Sequence, residues 1–137
     1  MRMSNGPASR IFNERGVTAC TDVTGFGLAG HLLEMLDASR VSARLLADQV
    51  PVYGGFADVV ARGIVSTLHA DNAKTACRVL SSSPPAWMFD PQTSGGLLVA
   101  IAPDLAADCI ATLARHGVEA RQVGRVVAKR SPLIFVK

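Results

Sequence analysis

An α+β fold in a single domain is what this sequence predicts, and three observations carry the prediction. The chain has 137 residues, 49% of them hydrophobic, which is one domain's length with enough apolar side chains to offset the ordering entropy of a core. Segments with helical and with strand-like patterning occur in similar numbers. They do not alternate strictly as β-α-β units, so a doubly wound parallel sheet is not expected.

The elements follow in chain order. Ser9 to Arg15, with Ile11 and Phe12 as its apolar pair, reads as a helix stopped by Gly16. Val17 to Val23 reads as a strand and runs into the glycine-rich stretch Thr24-Gly25-Phe26-Gly27-Leu28-Ala29-Gly30. From Leu28 the apolar residues Leu28, Leu32, Met35 and Leu36 recur at helical spacing, leaving His31, Glu34 and Ser39 off the stripe. Val41 to Leu46 is strand-like, and Phe56, Val59, Val60 and Ile64 mark a helix opened by Gly54-Gly55. A further helix is expected over Ala73 to Leu80, closed by Ser81-Ser82-Ser83-Pro84-Pro85. The polar loop Asp90 to Gly96 precedes the apolar run Leu97 to Ile101, which predicts a buried strand. Leu105, Cys109, Ile110 and Leu113 form the next helical stripe, with Asp104 in the first turn, Arg115 and His116 in the last, and Gly117 just beyond. Short strands around Glu119 to Val127 and Leu133 to Val136 complete the chain.

Charge and cysteine content narrow the function. The net charge of +3 is too mild to indicate nucleic acid, and the bases after Arg115 are neither helically spaced nor interleaved with aromatics for stacking. They read as ordinary solvated surface, although an anionic partner could meet them. Cys20, Cys77 and Cys109 are odd in number and widely spaced, which fits neither a disulfide framework nor a zinc site. No apolar run approaches the ~18 residues that cross a bilayer, and Met1 to Pro7 has no signal-peptide core, so a cytoplasmic protein without membrane contact is expected.

Two loops hold the chemistry-bearing residues. Gly25, Gly27 and Gly30 match G-x-G-x-x-G between a strand and a helix. A dinucleotide site fits poorly, because Thr18, Thr21, Asp22 and Thr24 interrupt what should be a continuous apolar strand, and the Asp22 carboxylate would repel a pyrophosphate. A cation between them removes that conflict. Asp22 with Thr24, Gly25 and Gly27 then makes a corner for magnesium-bridged phosphate, since glycines admit close approach and helix N-termini favour anions. Taken bare, the motif still favours a structural strand-to-helix turn with Asp22 as a local cap. Asp90, Gln92, Thr93 and Ser94 concentrate hydrogen-bonding groups in the second loop, which alone also favours a turn. His31 and Glu34, at i and i+3, read as a solvated pair more readily than as a metal site, and His69 and His116 as surface or capping residues. No nucleophile-base arrangement can be assembled from the spacing.

The segments Ala19 to Met35 (ACTDVTGFGLAGHLLEM) and Asp90 to Leu98 (DPQTSGGLL) closely resemble two signatures of the C-terminal half of the selenide, water dikinase family, also called selenophosphate synthetases. The resemblance extends to the closing Val123-Gly124-Arg125-Val126 and covers essentially the whole chain. The family is grouped with aminoimidazole ribonucleotide synthetase and a hydrogenase maturation protein. The resemblance implies a three-layer α/β/α domain with a mixed sheet and partly ferredoxin-like topology. It implies the conversion of selenide, ATP and water to selenophosphate, AMP and phosphate, with Mg²⁺. By resemblance Asp22 is the carboxylate that helps bind the Mg-ATP phosphates, Thr24, Gly25 and Gly27 form the adjoining turn, and Asp90, Gln92, Thr93 and Ser94 support it.

Departures from the family pattern shape the remaining expectations. The family's N-terminal ATP-binding domain carries the catalytic Cys or selenocysteine, a Lys and further Mg-binding Asp residues. None of these is matched in residues 1–137, and Cys20 lies within the C-terminal signature, away from that nucleophile's place. Where many members carry Gly-Gly-Thr followed by Asn, this chain has Ser66-Thr67-Leu68-His69-Ala70-Asp71-Asn72, similar to members fused to a flavin-dependent module. The expectation is one domain, residues 1–137, forming the C-terminal half of a two-domain enzyme, with no catalytic residue of its own and no activity alone. Its partner would be the N-terminal ATP-binding domain, in a homodimer when intact. The alternative is a free-standing binding or regulatory module that pairs with a separate ATP-binding partner. The aminoimidazole ribonucleotide synthetase branch is disfavoured by the Asp90 to Gly96 signature.

Overall fold

The computed structural model describes residues 4–137, so the first three residues of the amino-terminal segment considered above lie outside it. The described chain is α+β and builds two cores. The first helix, α1 (Gly6–Glu14), has Pro7 in its opening turn and buries Ala8, Ile11 and Phe12, three and four residues apart on one face. It ends as expected at Gly16, whose φ of 65° suits a residue without Cβ. Helix α5 (Pro103–Arg115) meets α1 through Cys109 and Leu113, one turn apart. Arg15 ties the two helices, donating to the Asp108 carboxylate and the Thr112 hydroxyl, each at 2.7 Å. Val17, Leu97, Val99, Ile101, Val118 and Ala120 close this smaller core from below.

The larger core lies under a mixed sheet. Helix α2 (Gly27–Ser39) buries Ala29, Leu32, Leu33 and Leu36 against β2 (Ser42–Leu45), β3 (Val79–Leu80) and β6 (Ile134–Val136), with Met88, Phe89 and Leu133 filling the gaps. The strand order is β3-β6-β2-β5, where β5 is Gly124–Val127, with β6 parallel to both of its neighbours and β5 antiparallel to β2. Beside it stands a separate antiparallel ladder of β1 (Ala19–Asp22) and β4 (Leu97–Ala100), running from Ala19 opposite Ala100 to Asp22 opposite Leu97. On the surface, Asp37 of α2 pairs with the Arg78 guanidinium through two bonds of 2.7 and 2.8 Å. That hydrogen-bonded cation holds the Asp37 carboxyl below its usual range.

Four expectations change. The helix placed over Ala73 to Leu80 is a short helical turn, α4 (His69–Asn72), then a 3₁₀ stretch over Ala73–Arg78, with Val79 and Leu80 in a strand. Val79 is drawn into the sheet by pairing with Ile134. The run Leu97 to Ile101 is only half-buried: Leu97, Val99 and Ile101 pack on the smaller core and Leu98 on the larger, but its ladder has just two strands. The buried arc of α2 is wider than its apolar stripe and includes His31, while Met35 is half-buried. Helix α3 (Phe56–Ala61) forms where its periodicity predicts but buries none of its residues.

Candidate functional site

Strand pairing brings the two marked loops together. Asp22 ends β1 opposite Leu97, the first residue of β4, and beyond that pair the bonding passes from ladder to loops. The Val23 N–H donates to the Gly96 carbonyl at 3.0 Å, Gly95 N–H to the Val23 carbonyl at 3.1 Å, and Gln92 N–H to the Thr24 carbonyl at 3.0 Å. Two glycines permit this crossing. A Cβ on Gly95 would stand 2.2 Å from the Val23 carbonyl oxygen, and one on Gly27, at φ 66°, would meet the carbonyl oxygens of Met88 and Asp90 at 2.9 and 3.1 Å. Gly27 thus opens α2 beneath the second loop, whereas the space around Gly25 is open.

Asn72 locks the crossing. Its buried side-chain amide donates to the Gly25 carbonyl at 2.9 Å and to the Phe89 carbonyl at 3.0 Å, joining one loop to the segment that leads into the other. One side chain thus satisfies two carbonyls at once. No spacing rule marks Asn72, which sits in a polar stretch with its partners 47 and 17 positions away.

His31 also has a place that its spacing did not suggest. It is 7% exposed, not solvated, and its Nε2 lies 3.2 Å from the Thr24 hydroxyl. Glu34 Oε2 is 3.3 Å from Nδ1, close enough for attraction but out of line for a hydrogen bond. Hydroxyl, imidazole and carboxylate therefore line up across the first turns of α2. The Phe26 ring, 59% exposed, tilts against the imidazole with centroids 5.5 Å apart. His116 does cap its helix end, with Nδ1 2.9 Å from the Thr112 carbonyl, and His69 stands edge-on to Phe89.

The remaining residues divide by role. In the second loop Asp90 accepts a bond from Gln92 Nε2 at 2.8 Å, so these two hold each other, while Thr93 and Ser94 are exposed. Asp22 is exposed beside a shallow cavity of about 440 Å³ lined with Asn5, Ser9, Cys20 and Thr21. No ion pair among the described residues engages its carboxylate. Cys20 is exposed, yet partial burial pushes its thiol up and the neighbouring Asp22 charge pushes it further, which disfavours a nucleophilic thiolate.

Comparison with known proteins shows the family. Residues 6–137 match the family described as AIR synthase related protein, C-terminal domain. The chain belongs to that family. It is 39% identical over 128 residues to the selenide, water dikinase of Photobacterium profundum, covering 90% of this chain and 37% of that protein. Identity is 41% over 129 residues with the enzyme of Bordetella bronchiseptica, covering 92% of this chain and 38% of that protein. For Geobacter metallireducens it is 36% over 141 residues, covering 99% and 41%. The chain thus spans about two fifths of the length of these relatives. Among solved structures it resembles that of a HypE–HypF complex, at TM-score 0.65 and 18% identity, covering 97% of this chain and 37% of that one. It also resembles E. coli HypE, a hydrogenase maturation protein, at TM-score 0.60 and 19% identity, covering 93% and 34%. At these identities the likeness is one of fold, and it agrees with the α+β architecture and mixed sheet described above.

In this AIR synthase related domain the donor set fits part of a magnesium site. Mg²⁺ usually takes one or two protein carboxylates and fills its other positions with phosphate oxygens and water. Asp22 would offer one such carboxylate, and among the described residues it is exposed and in no ion pair. No cluster of three or more His, Cys, Asp or Glu that could hold a metal is found among the described residues, so further protein ligands would have to come from elsewhere. The adjoining N-terminus of α2 has no side-chain cap, which leaves its positive dipole end without an internal counter-charge.

Proposed function

We propose that this domain is the C-terminal half of a selenide, water dikinase, and that it contributes Asp22 and the Thr24–Gly27 turn to a shared Mg-ATP site. The observation that carries this reading is the convergence of the two loops on the end of β1, which leaves Asp22 as an unpaired carboxylate beside an uncapped helix N-terminus. The similarity to full-length selenide, water dikinases over nine tenths or more of this chain supports it. Bound Mg²⁺ would offset phosphate charge as a phosphoryl group is transferred. Asp22 would hold the metal from this side. Thr24, its hydroxyl oriented by His31, and the open backbone at Gly25 would face the phosphates. Asp90 and Gln92 would keep the second loop in place, presenting Thr93 and Ser94. The N-terminal ATP-binding domain would supply the nucleophile and further carboxylates, in a cytoplasmic homodimer.

The test is Asp22→Asn in the full-length enzyme, read as Mg-dependent AMP formation. A fall of about 10²-fold is expected, the scale of losing one preorganised electrostatic contact to the transition state. The 137-residue chain alone is expected to form no AMP and to give no heat on titration with Mg-ATP. Activity of the lone chain that disappears in Asp22→Asn would overturn the shared-site reading. Tight Mg-ATP binding without turnover would favour a free-standing binding module.

A further inference from the structure

The segment from Val52 to Leu68 belongs to neither core. Among the described residues it carries six of the ten large apolar side chains left exposed, Val52, Tyr53, Val59, Ile64, Val65 and Leu68, with Tyr53 85% exposed. At its centre α3 has only six residues and buries none. A helix that short is not stable in water by itself and depends on packing against another surface. Dense exposed apolar side chains of this kind mark interaction sites.

The segment is nonetheless anchored at both ends. Val50, just before it, packs on the larger core, and Asn72, just after it, holds the Gly25 and Phe89 carbonyls. Phe26, 59% exposed, follows Gly25 directly, so apolar surface also flanks the candidate site. Within the segment Asp58 and Arg62 cancel in charge, which calls for an apolar rather than a strongly charged partner surface. Relatives of this chain extend well beyond the portion it matches, which is 37–41% of their length.

We infer that Val52–Leu68, with Phe26, is the surface on which the amino-terminal portion of the enzyme docks, placing that portion next to the loop that follows Asp22. The inference rests on the two-part reading above and adds the surface that joins the parts. A stable interface buries about 1,600 Å² in all around an apolar centre, and six large exposed apolar side chains between residues 52 and 68 can supply that centre.

The experiment mixes this chain with the amino-terminal portion of the Bordetella bronchiseptica selenide, water dikinase and measures affinity by calorimetry and backbone protection by hydrogen exchange. The unaltered chain is expected to bind, with protection rising over residues 52–68. Val59→Asp with Ile64→Asp is expected to weaken binding at least tenfold, while Leu105→Asp, an exposed control on α5, leaves it within twofold. All three side chains are solvent-exposed, so circular dichroism should show each variant folded. Undiminished binding by the double variant overturns the docking surface and leaves the two-part reading standing. No binding by the unaltered chain to an amino-terminal portion that circular dichroism shows folded overturns both. Self-association of the chain that the double variant abolishes, with partner binding intact, assigns the surface to a second copy and overturns the inference.

Discussion

The crossing of the two loops and the Val52–Leu68 segment are joined through Asn72, yet they are built on opposite terms. At the crossing, glycines and a buried amide bring backbone against backbone with almost no apolar side chain involved. In the segment, apolar side chains are abundant and nothing among the described residues covers them well. Hydrophobic content therefore does not locate the most closely crossed backbone of this molecule. Satisfied backbone groups and close approach do.

The contrast can be broken most forcefully at Gly95. Gly95→Ala puts a methyl group into the Val23 carbonyl, which cannot move without breaking the loop-to-loop bonds, and a loss of about 3 kcal/mol is expected in urea unfolding. Asn72→Ala should cost about 2 kcal/mol, because two carbonyls lose their donor. If Asn72→Ala were neutral, the crossing would hold without its lock. In the segment, by contrast, Ile64→Ser should change the stability of this chain by less than about 0.5 kcal/mol despite removing a large apolar side chain. A larger loss would mean that the segment packs on its own domain.

The Asp37–Arg78 pair, an exposed tie, provides the smallest effect. Its carboxyl is held below the usual range, so its contribution is present above about pH 4 and is lost as pH falls through the lowered value. Urea midpoints for the unaltered chain and Arg78→Gln should accordingly stay apart above about pH 4 and converge as pH falls below it. A gap that persists unchanged would remove the ion pair as its cause.

Much of this was legible in the sequence, for physical reasons that also explain the misses. Helices α1 and α5 and strands β1, β2, β4 and β6 lie between clear stops and turn residues such as Gly16 and Gly117, so their places were readable to within a few residues. Asp22 and the two loops were readable as motifs. What periodicity could not reveal was what lies across from a residue. His31 sits off the apolar stripe yet is buried, because Thr24 and Phe26 close over it. Asn72 acts through partners distant in sequence. Val59 and Ile64 have the spacing of a core face, but spacing does not say whether a surface is there to meet it. For Ala73 to Leu80 the helical reading failed because Val79 found a strand partner in Ile134, a tertiary contact that local preference does not register.

The position of β6 has a consequence for how the molecule is made. Although it follows every other strand in the chain, it lies in the interior of the mixed sheet, parallel to both β3 and β2, and its Ile134 is fully buried. Until residues 134–136 emerge during synthesis, β3 and β2 have no common neighbour, and the face that covers α2 stays divided. Assembly of the larger core must therefore wait for this strand, whereas α1, α5 and the β1–β4 ladder can associate sooner. A stop placed directly after Leu133 would remove the strand that unites the sheet, along with the bonds that Leu45 and Ala47 make to Lys137.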